Sequence, residues 1–331
     1  MRFLVALVLS ISCLGVAQAG CTGQDLIAAL PAPDRAALTA RAAAEPFPAG
    51  NLWRATKPGS TITAIGTLHL YDPRMDAMMK TIAPLVGAAD LVLVEAGTKE
   101  MAELNDALKR QPDLLFRNES PTLPEALSGP EWAALSAELS ARGFPPFLAA
   151  KMQPWYVSVL LGVPPCAMGQ LAIGSSGLDH LILASAEAAG TPVRALEPYD
   201  TAFRLFQSMS LADQLDMVRA SLAVSAGAED TFATLIAAYF SGQHRLIWEF
   251  TRMQAESISG FDPAKMRADF NMMEAALLTG RNQAWMSVLL PAAMDHTVVV
   301  AVGAAHLSGA QGVLNLLADA GYTLEPLALA P

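Results

Sequence analysis

The sequence predicts an α/β protein: a central mixed β-sheet built from two related halves, flanked by helices and interrupted by a large helical insertion. Three observations carry this. An apolar, β-branched run at Ile62–Ile65 stops at Gly66, and His69 follows; a segment with helical spacing comes next (Met75, Met78, Met79, Ile82, Leu85, Val86), then a second apolar run, Leu91–Val94, that ends on Glu95. Period and breakers make this strand, loop, helix, strand, and continuous apolar strands joined by a helix predict a parallel pair buried on both faces. The far end of the chain repeats the first half of the unit: Ala64-Ile65-Gly66-Thr67-Leu68-His69-Leu70 aligns with Ala301-Val302-Gly303-Ala304-Ala305-His306-Leu307, each after an apolar run. Between them, from about 99 to 290, Ala, Leu and Met recur at helical spacing.

In chain order, Met1–Ala19 has a basic start (Arg2), an apolar run Phe3–Val16 and a small-residue site, Ala17-Gln18-Ala19. It reads as a secretory signal peptide, so the protein is expected to be exported, periplasmic or secreted, with lipid attachment at Cys21 the less favoured route because Gln18 suits that signal poorly. No later segment has the ~18 apolar residues of a membrane span. Residues 20–331 are read as one α/β domain, with 99–290 as a helical insertion or cap. Gln24–Arg41 is an amphipathic helix with a Pro31-Ala32-Pro33 break. Asn51–Ala55 and Ile62–Ile65 form a hairpin across Pro58-Gly59, a turn signal. Helices follow at Lys99–Arg110, Pro130–Arg142 and Phe147–Leu161, then a Gly- and Ser-rich loop, Leu171–Gly177, and a helix, Leu178–Ala189. Thr191–Leu196 is a brief strand ending on Glu197. Met-rich helices fill Tyr199–Leu290, with Met209, Met217, Met266, Met272 and Met273 expected mainly in the core and secondarily as a plastic apolar groove. The last unit is strand His296–Val302, the His306 loop, helix Ser308–Ala320 and strand Tyr322–Leu327.

Export leaves Cys21 and Cys166, an even pair in an oxidising compartment. They either bridge the N-terminus to the middle of the chain or remain a frayed thiol and a small buried apolar residue. The 31 Asp plus Glu against 21 Lys plus Arg, with no basic run, argue against nucleic-acid binding, which rests on phosphate neutralisation.

The chemistry is placed by the strand ends. Polar residues at the carboxyl ends of neighbouring parallel strands share one crevice, which puts His69, Glu95 and His306 together. Two neutral imidazoles and a carboxylate suit Zn²⁺, Mn²⁺ or Co²⁺ with a position open to water. Glu197 or Asp179 is a candidate proton acceptor. Arg281 is a candidate for stabilising an oxyanion or for holding Glu95 or Glu197, because an arginine in a charge-poor helical region is costly to bury unpaired. The bland alternatives stand beside these: hydrogen-bonded structural histidines, a structural Glu95–Arg281 pair, Asp179 as a helix N-terminal residue, and Asn282 bonded to backbone. HExxH, GxSxG, Walker and GxGxxG signatures are absent.

Taken in order, Gly66-Thr67-Leu68-His69, Val94-Glu95, Gly177-Leu178-Asp179, Leu196-Glu197, Arg281-Asn282 and Gly303-Ala304-Ala305-His306-Leu307-Ser308-Gly309 resemble the TraB/PrgY/GumN superfamily, related to the Tiki metalloproteases, over roughly Leu52–Leu327. The resemblance implies an α/β fold of two related halves and a metal-dependent hydrolase site that uses the two GxxH histidines and the glutamate; established peptidase activity belongs to the Tiki branch. Gly280 departs from the acidic or polar residue expected before Arg281. Two functions follow as expectations: an exported metal-dependent hydrolase acting on peptide or protein, or a cell-envelope binding protein that keeps the fold, with or without the metal site, and does not turn over a substrate. Neither the substrate nor the oligomeric state is legible.

Overall fold

The computed structural model describes residues 21–169 and 177–329; the expected signal peptide and nearly all of the Leu171–Gly177 loop lie outside them. Six strands form one mixed sheet: β1 (Leu52–Lys57), β2 (Ser60–Thr67), β3 (Leu91–Val94), β4 (Val193–Ala195), β5 (Thr297–Gly303) and β6 (Thr323–Pro326), in the order β4-β3-β5-β2-β1-β6. β1 and β2 are the expected hairpin, closing at Lys57↔Ser60 around Gly59, whose φ of +77° a residue with a side chain rarely adopts. β2, β5, β3 and β4 are mutually parallel, whereas β1 is antiparallel to both β2 and β6.

One expectation is corrected here. β2 and β3 are not neighbours; β5 lies between them. The reason is apolar demand: β5 reads TVVVAVG and is buried from Val298 to Val302, so it needs a strand on each edge and a layer on each face. Its side chains alternate between those layers. Val299 and Ala301 join Ile65, Val92 and Val94 beneath helices Arg74–Gly87 and Leu178–Ala189, which contribute Met75, Met78, Ile82, Val86, Leu178 and Ile182. Val298, Val300 and Val302 face Trp285 and Leu289 of helix Gly280–Ala292 and Val313, Leu314 and Leu317 of helix Val313–Asp319.

The insertion makes its own core. Leu215 and Val218 of helix Leu211–Val224 pack with Leu160 of helix Pro154–Leu161 and Leu135 of helix Gly129–Ala141. Among the methionines expected there, Met266 is buried, while Met272 is 48 % exposed and Met209, Met217 and Met273 are half-buried. The N-terminal segment splits at Pro31 into Leu26–Ala29 and Ala32–Ala43, and Leu38 meets Phe250 of helix His244–Glu256. Cys21 and Cys166 are disulfide-bonded, with Cα atoms 5.4 Å apart across a sequence separation of 145. That settles the open pairing. No described helix is long and apolar enough to cross a membrane.

Candidate active site

The four parallel strands deliver their carboxyl ends to one edge of the sheet in the order β2, β5, β3, β4. His69 follows β2, His306 follows β5, Glu95 follows β3 directly and Glu197 stands two residues beyond β4. The two GxxH stretches align in sequence but not in conformation. β2 runs on through Gly66 and Thr67 before the chain bends at His69, whereas β5 ends at Gly303 and turns at once into a 3₁₀ helix, Ala304–His306. The register consequently pairs Thr67 with Gly303 rather than Gly66 with Gly303.

The three expected metal ligands gather around Gly303. A methyl group built on Gly303 would stand 3.4 Å from Glu95 Oε1, 3.6 Å from His306 Cδ2 and 4.0 Å from His69 Nε2. The Gly303 N–H in turn donates to Glu95 Oε1 at 2.6 Å.

His69 is open to solvent, its side chain 71 % exposed, and is held by Asp179. Its Nδ1 lies 2.9 Å from Asp179 Oδ2, and Thr67 Oγ1 donates to the other carboxylate oxygen. Asp179 reaches it because helix Leu178–Ala189 begins docked on the β2 extension: Gly177 N–H donates to His69 O at 2.9 Å and Leu178 N–H to Leu68 O at 3.0 Å. The hydrogen bond and charge of Asp179 raise the His69 pKa to about 9. Burial pushes the Asp179 carboxyl up, but His69 and Thr67 outweigh it and hold it low. At neutral pH the pair is imidazolium and carboxylate, with water at the ring screening part of their attraction.

His306 is the opposite case: buried, and pushed down to about 4 by desolvation, with Arg281 adding to that and Glu95 opposing it. It is neutral. Its Nδ1 is 2.6 Å from Asn282 Oδ1, and its Nε2 lies 3.2 Å from Arg281 Nη1. Since a guanidinium can only donate, Nε2 accepts and the proton sits on Nδ1. Asn282 also bonds backbone, as expected, at Gln311 O (2.8 Å) and His306 O (3.3 Å); its contact with the His306 ring was not foreseen. Trp285 covers the ring at 4.4 Å between centroids.

Arg281 is the hub. It was expected to hold one of two glutamates, and it holds both: Nη2 donates to Glu95 Oε2 and to Glu197 Oε1, each at 2.6 Å, and Nε donates to Glu197 Oε2 at 3.0 Å. Trp285 Nε1 donates to Glu197 Oε2 at 2.9 Å. Burial would raise the Glu95 carboxyl, yet facing positive charge and the Gly303 N–H hold it below its usual range; with His306 neutral, Arg281 and His69 supply that charge. The helix start explains the aim of Arg281. Residues Ala275–Thr279 form a π-helix between helices Pro263–Glu274 and Gly280–Ala292, and Arg281 Nη1 donates to the Leu277 carbonyl inside it at 3.2 Å. Single π turns occur often at functional sites. Trp285 and Thr67 were missed in the sequence. Trp285, four residues after Arg281 on the same helical face, could have been found from that spacing; nothing in the sequence singles out Thr67.

Fold and site together define an α/β protein whose parallel strands bring two imidazoles and two carboxylates to one partly buried arginine. The model of the TraB/PrgY/gumN family matches residues 51–326, and the chain belongs to that family. No curated protein matches it.

Proposed function

We propose that this protein is an exported, metal-dependent hydrolase that acts on peptide bonds, with His69, Glu95 and His306 as the ligands of a divalent first-row metal. The observation that carries the reading is the way both histidines are held. Each has Nδ1 fixed by a side-chain oxygen, of Asp179 or Asn282, and turns its other ring edge toward Gly303 and Glu95, His69 by Nε2 and His306 by Cδ2, with the His306 Nε2 accepting from Arg281. Such outer-shell partners are what orient ligating imidazoles, and two imidazoles with a carboxylate are in kind the donors that Zn²⁺, Mn²⁺ or Co²⁺ takes, although no three such side chains among the described residues already stand as a ligand group.

When bound, the metal supplies Lewis-acid polarisation of a carbonyl and a water of lowered pKa. The chain's own residues do the rest. Glu95 Oε2 and His306 Nε2 accept from Arg281, so ligation requires the guanidinium to give up those two acceptors while keeping Glu197. Glu197 then acts as the anchor of Arg281 rather than as a proton acceptor, because Arg281 and Trp285 engage both of its oxygens. Arg281, drawn back on that anchor, remains beside the ligands as a donor to negative charge developing on a carbonyl oxygen. His69 must lose its proton to ligate, so metal and proton compete there. Its exposure gives substrate a way in.

Metal analysis of the purified protein and of His69→Ala and His306→Ala tests the ligand set. One metal ion per chain, lost in both variants, is expected, together with chelator-sensitive cleavage of a peptide library. A metal-loaded protein that cleaves nothing would instead favour a sequestering protein. No metal in any preparation, after dialysis against each of the three ions, would end the metal reading.

A further inference from the structure

Four helices of the insertion, Leu211–Val224, Ala228–Phe240, His244–Glu256 and Pro263–Glu274, line a cavity of about 300 Å³ that shares no residue with the arginine centre, a volume at the lower end of the ~300–1,000 Å³ range of small-molecule sites. Two of these helices spend one apolar face elsewhere. Helix Leu211–Val224 buries Leu215 and Val218 in the core of the insertion, and helix His244–Glu256 buries Phe250 against Leu38. A second apolar stripe is left over. Met217 and Val224 lie seven residues apart on one helix, Met266, Phe270 and Met273 follow the i, i+4, i+7 spacing of one face on another, and Ile258 closes the wall; all six line the cavity. Val224 at the mouth is 44 % exposed. The wall is therefore apolar, accessible and rich in methionine, whose flexible, polarisable side chain reshapes itself around a guest.

The rim has a sign. Asp213, Asp216 and Asp269 line it with a single lysine, Lys265, which reaches Asp269 at 2.7 Å and Asp216 at 3.2 Å. Arg219 also reaches Asp216, at 3.1 Å, but is shared with Glu131 at 2.9 Å. Asp213 is met by the Ser210 hydroxyl. Four carboxylates against two cations leave two negative charges, on a chain whose formal net charge is −10.

We propose that this cavity binds a small hydrophobic cation, with an alkyl or aryl body between the methionines and Phe270 and an ammonium group at the Asp213–Asp216–Asp269 rim. Burying the apolar body gives the affinity. The rim carboxylates, which an anion of equal length meets unfavourably, give the preference for positive charge.

Titration calorimetry with decyltrimethylammonium and with decanoate, both below their micelle concentrations, tests this. One decyltrimethylammonium per chain is expected, with decanoate weaker by about tenfold or more, since partly solvated charge pairs contribute up to ~1 kcal/mol each. Asp216→Asn with Asp269→Asn should erase most of that preference while leaving the chain-length dependence. Ala220→Trp, inside the cavity, should abolish binding; Val224→Trp, at the exposed mouth, should weaken it even if the first variant folds poorly. Equal affinity for the two amphiphiles, no saturable binding to the unaltered protein, or binding unchanged in a folded Val224→Trp variant would overturn the proposal.

Discussion

Arg281 shows how one side chain can hold a centre together by charge. Its partners Glu95 and Glu197 are 17 % and 13 % exposed at their side chains, and a buried carboxylate without its cation is expensive. Replacing Arg281 with Met should therefore cost about 3–5 kcal/mol of stability. If a divalent ion can take the same two acceptors, Glu95 Oε2 and His306 Nε2, saturating Zn²⁺ or Mn²⁺ should raise the melting temperature of the variant more than that of the unaltered protein. Differential scanning fluorimetry with metal and with chelator reads both effects; a variant as stable as the parent, or indifferent to metal, contradicts the exchange. His244 makes a separate prediction about acid. It is 2 % exposed at the first residue of its helix, its Nε2 is 3.2 Å from Gly50 O and its Nδ1 has no partner among the described residues. Burial lowers its pKa to about 4, and the positive end of the helix dipole acts in the same direction. The folded value lies below the unfolded one of about 6.5, so the unfolded chain binds a proton that the folded chain refuses. Stability from this group is complete above about pH 6.5 and declines as pH falls toward 4, by about 3 kcal/mol over that window. Urea unfolding at stepped pH should show a shallower decline for His244→Phe than for the parent.

At the scale of elements, the site depends on how two helices begin. Helix Leu178–Ala189 starts at Gly177, where an added methyl carbon would stand 1.8 Å from Leu68 O, a distance no side chain tolerates. Gly177→Ala should push the helix start away from β2, withdraw Asp179 from His69 and cost ~1–3 kcal/mol. With its carboxylate gone, His69 should titrate near 6.5 instead of about 9, a change that NMR of the imidazole protons resolves. An unchanged His69 titration in a folded variant would mean that the helix start does not place Asp179. Helix Gly280–Ala292 begins differently, by continuing a π turn. One extra residue in a helical turn rotates everything after it by roughly 100°, which is how Arg281, Asn282 and Trp285 come to share one site with Glu95, Glu197 and His306.

The whole molecule is tied by contacts between distant parts of the chain. The Cys21–Cys166 bridge closes a loop of 145 residues, for which loop-closure entropy gives ~2–5 kcal/mol. Cys21→Ser with Cys166→Ser should lose that much in urea denaturation, and the parent in reductant should match the double variant; a parent insensitive to reductant would place the stabilisation elsewhere. Local pattern was enough to read the hairpin, the strand ends, the helical insertion, the His69, Glu95 and His306 positions and the family, because period and breakers are properties of neighbouring residues. Tertiary structure alone decided that β5 separates β2 from β3, that Asp179 grips His69, that Arg281 holds two glutamates and a histidine at once, and that Met209, Met217, Met266, Met272 and Met273 line a cavity. Strand order, charge pairing and the second face of a helix are settled by which surfaces find each other across the fold. Those choices come from competition among distant segments for burial and for partners, and no window of local sequence contains the competitors.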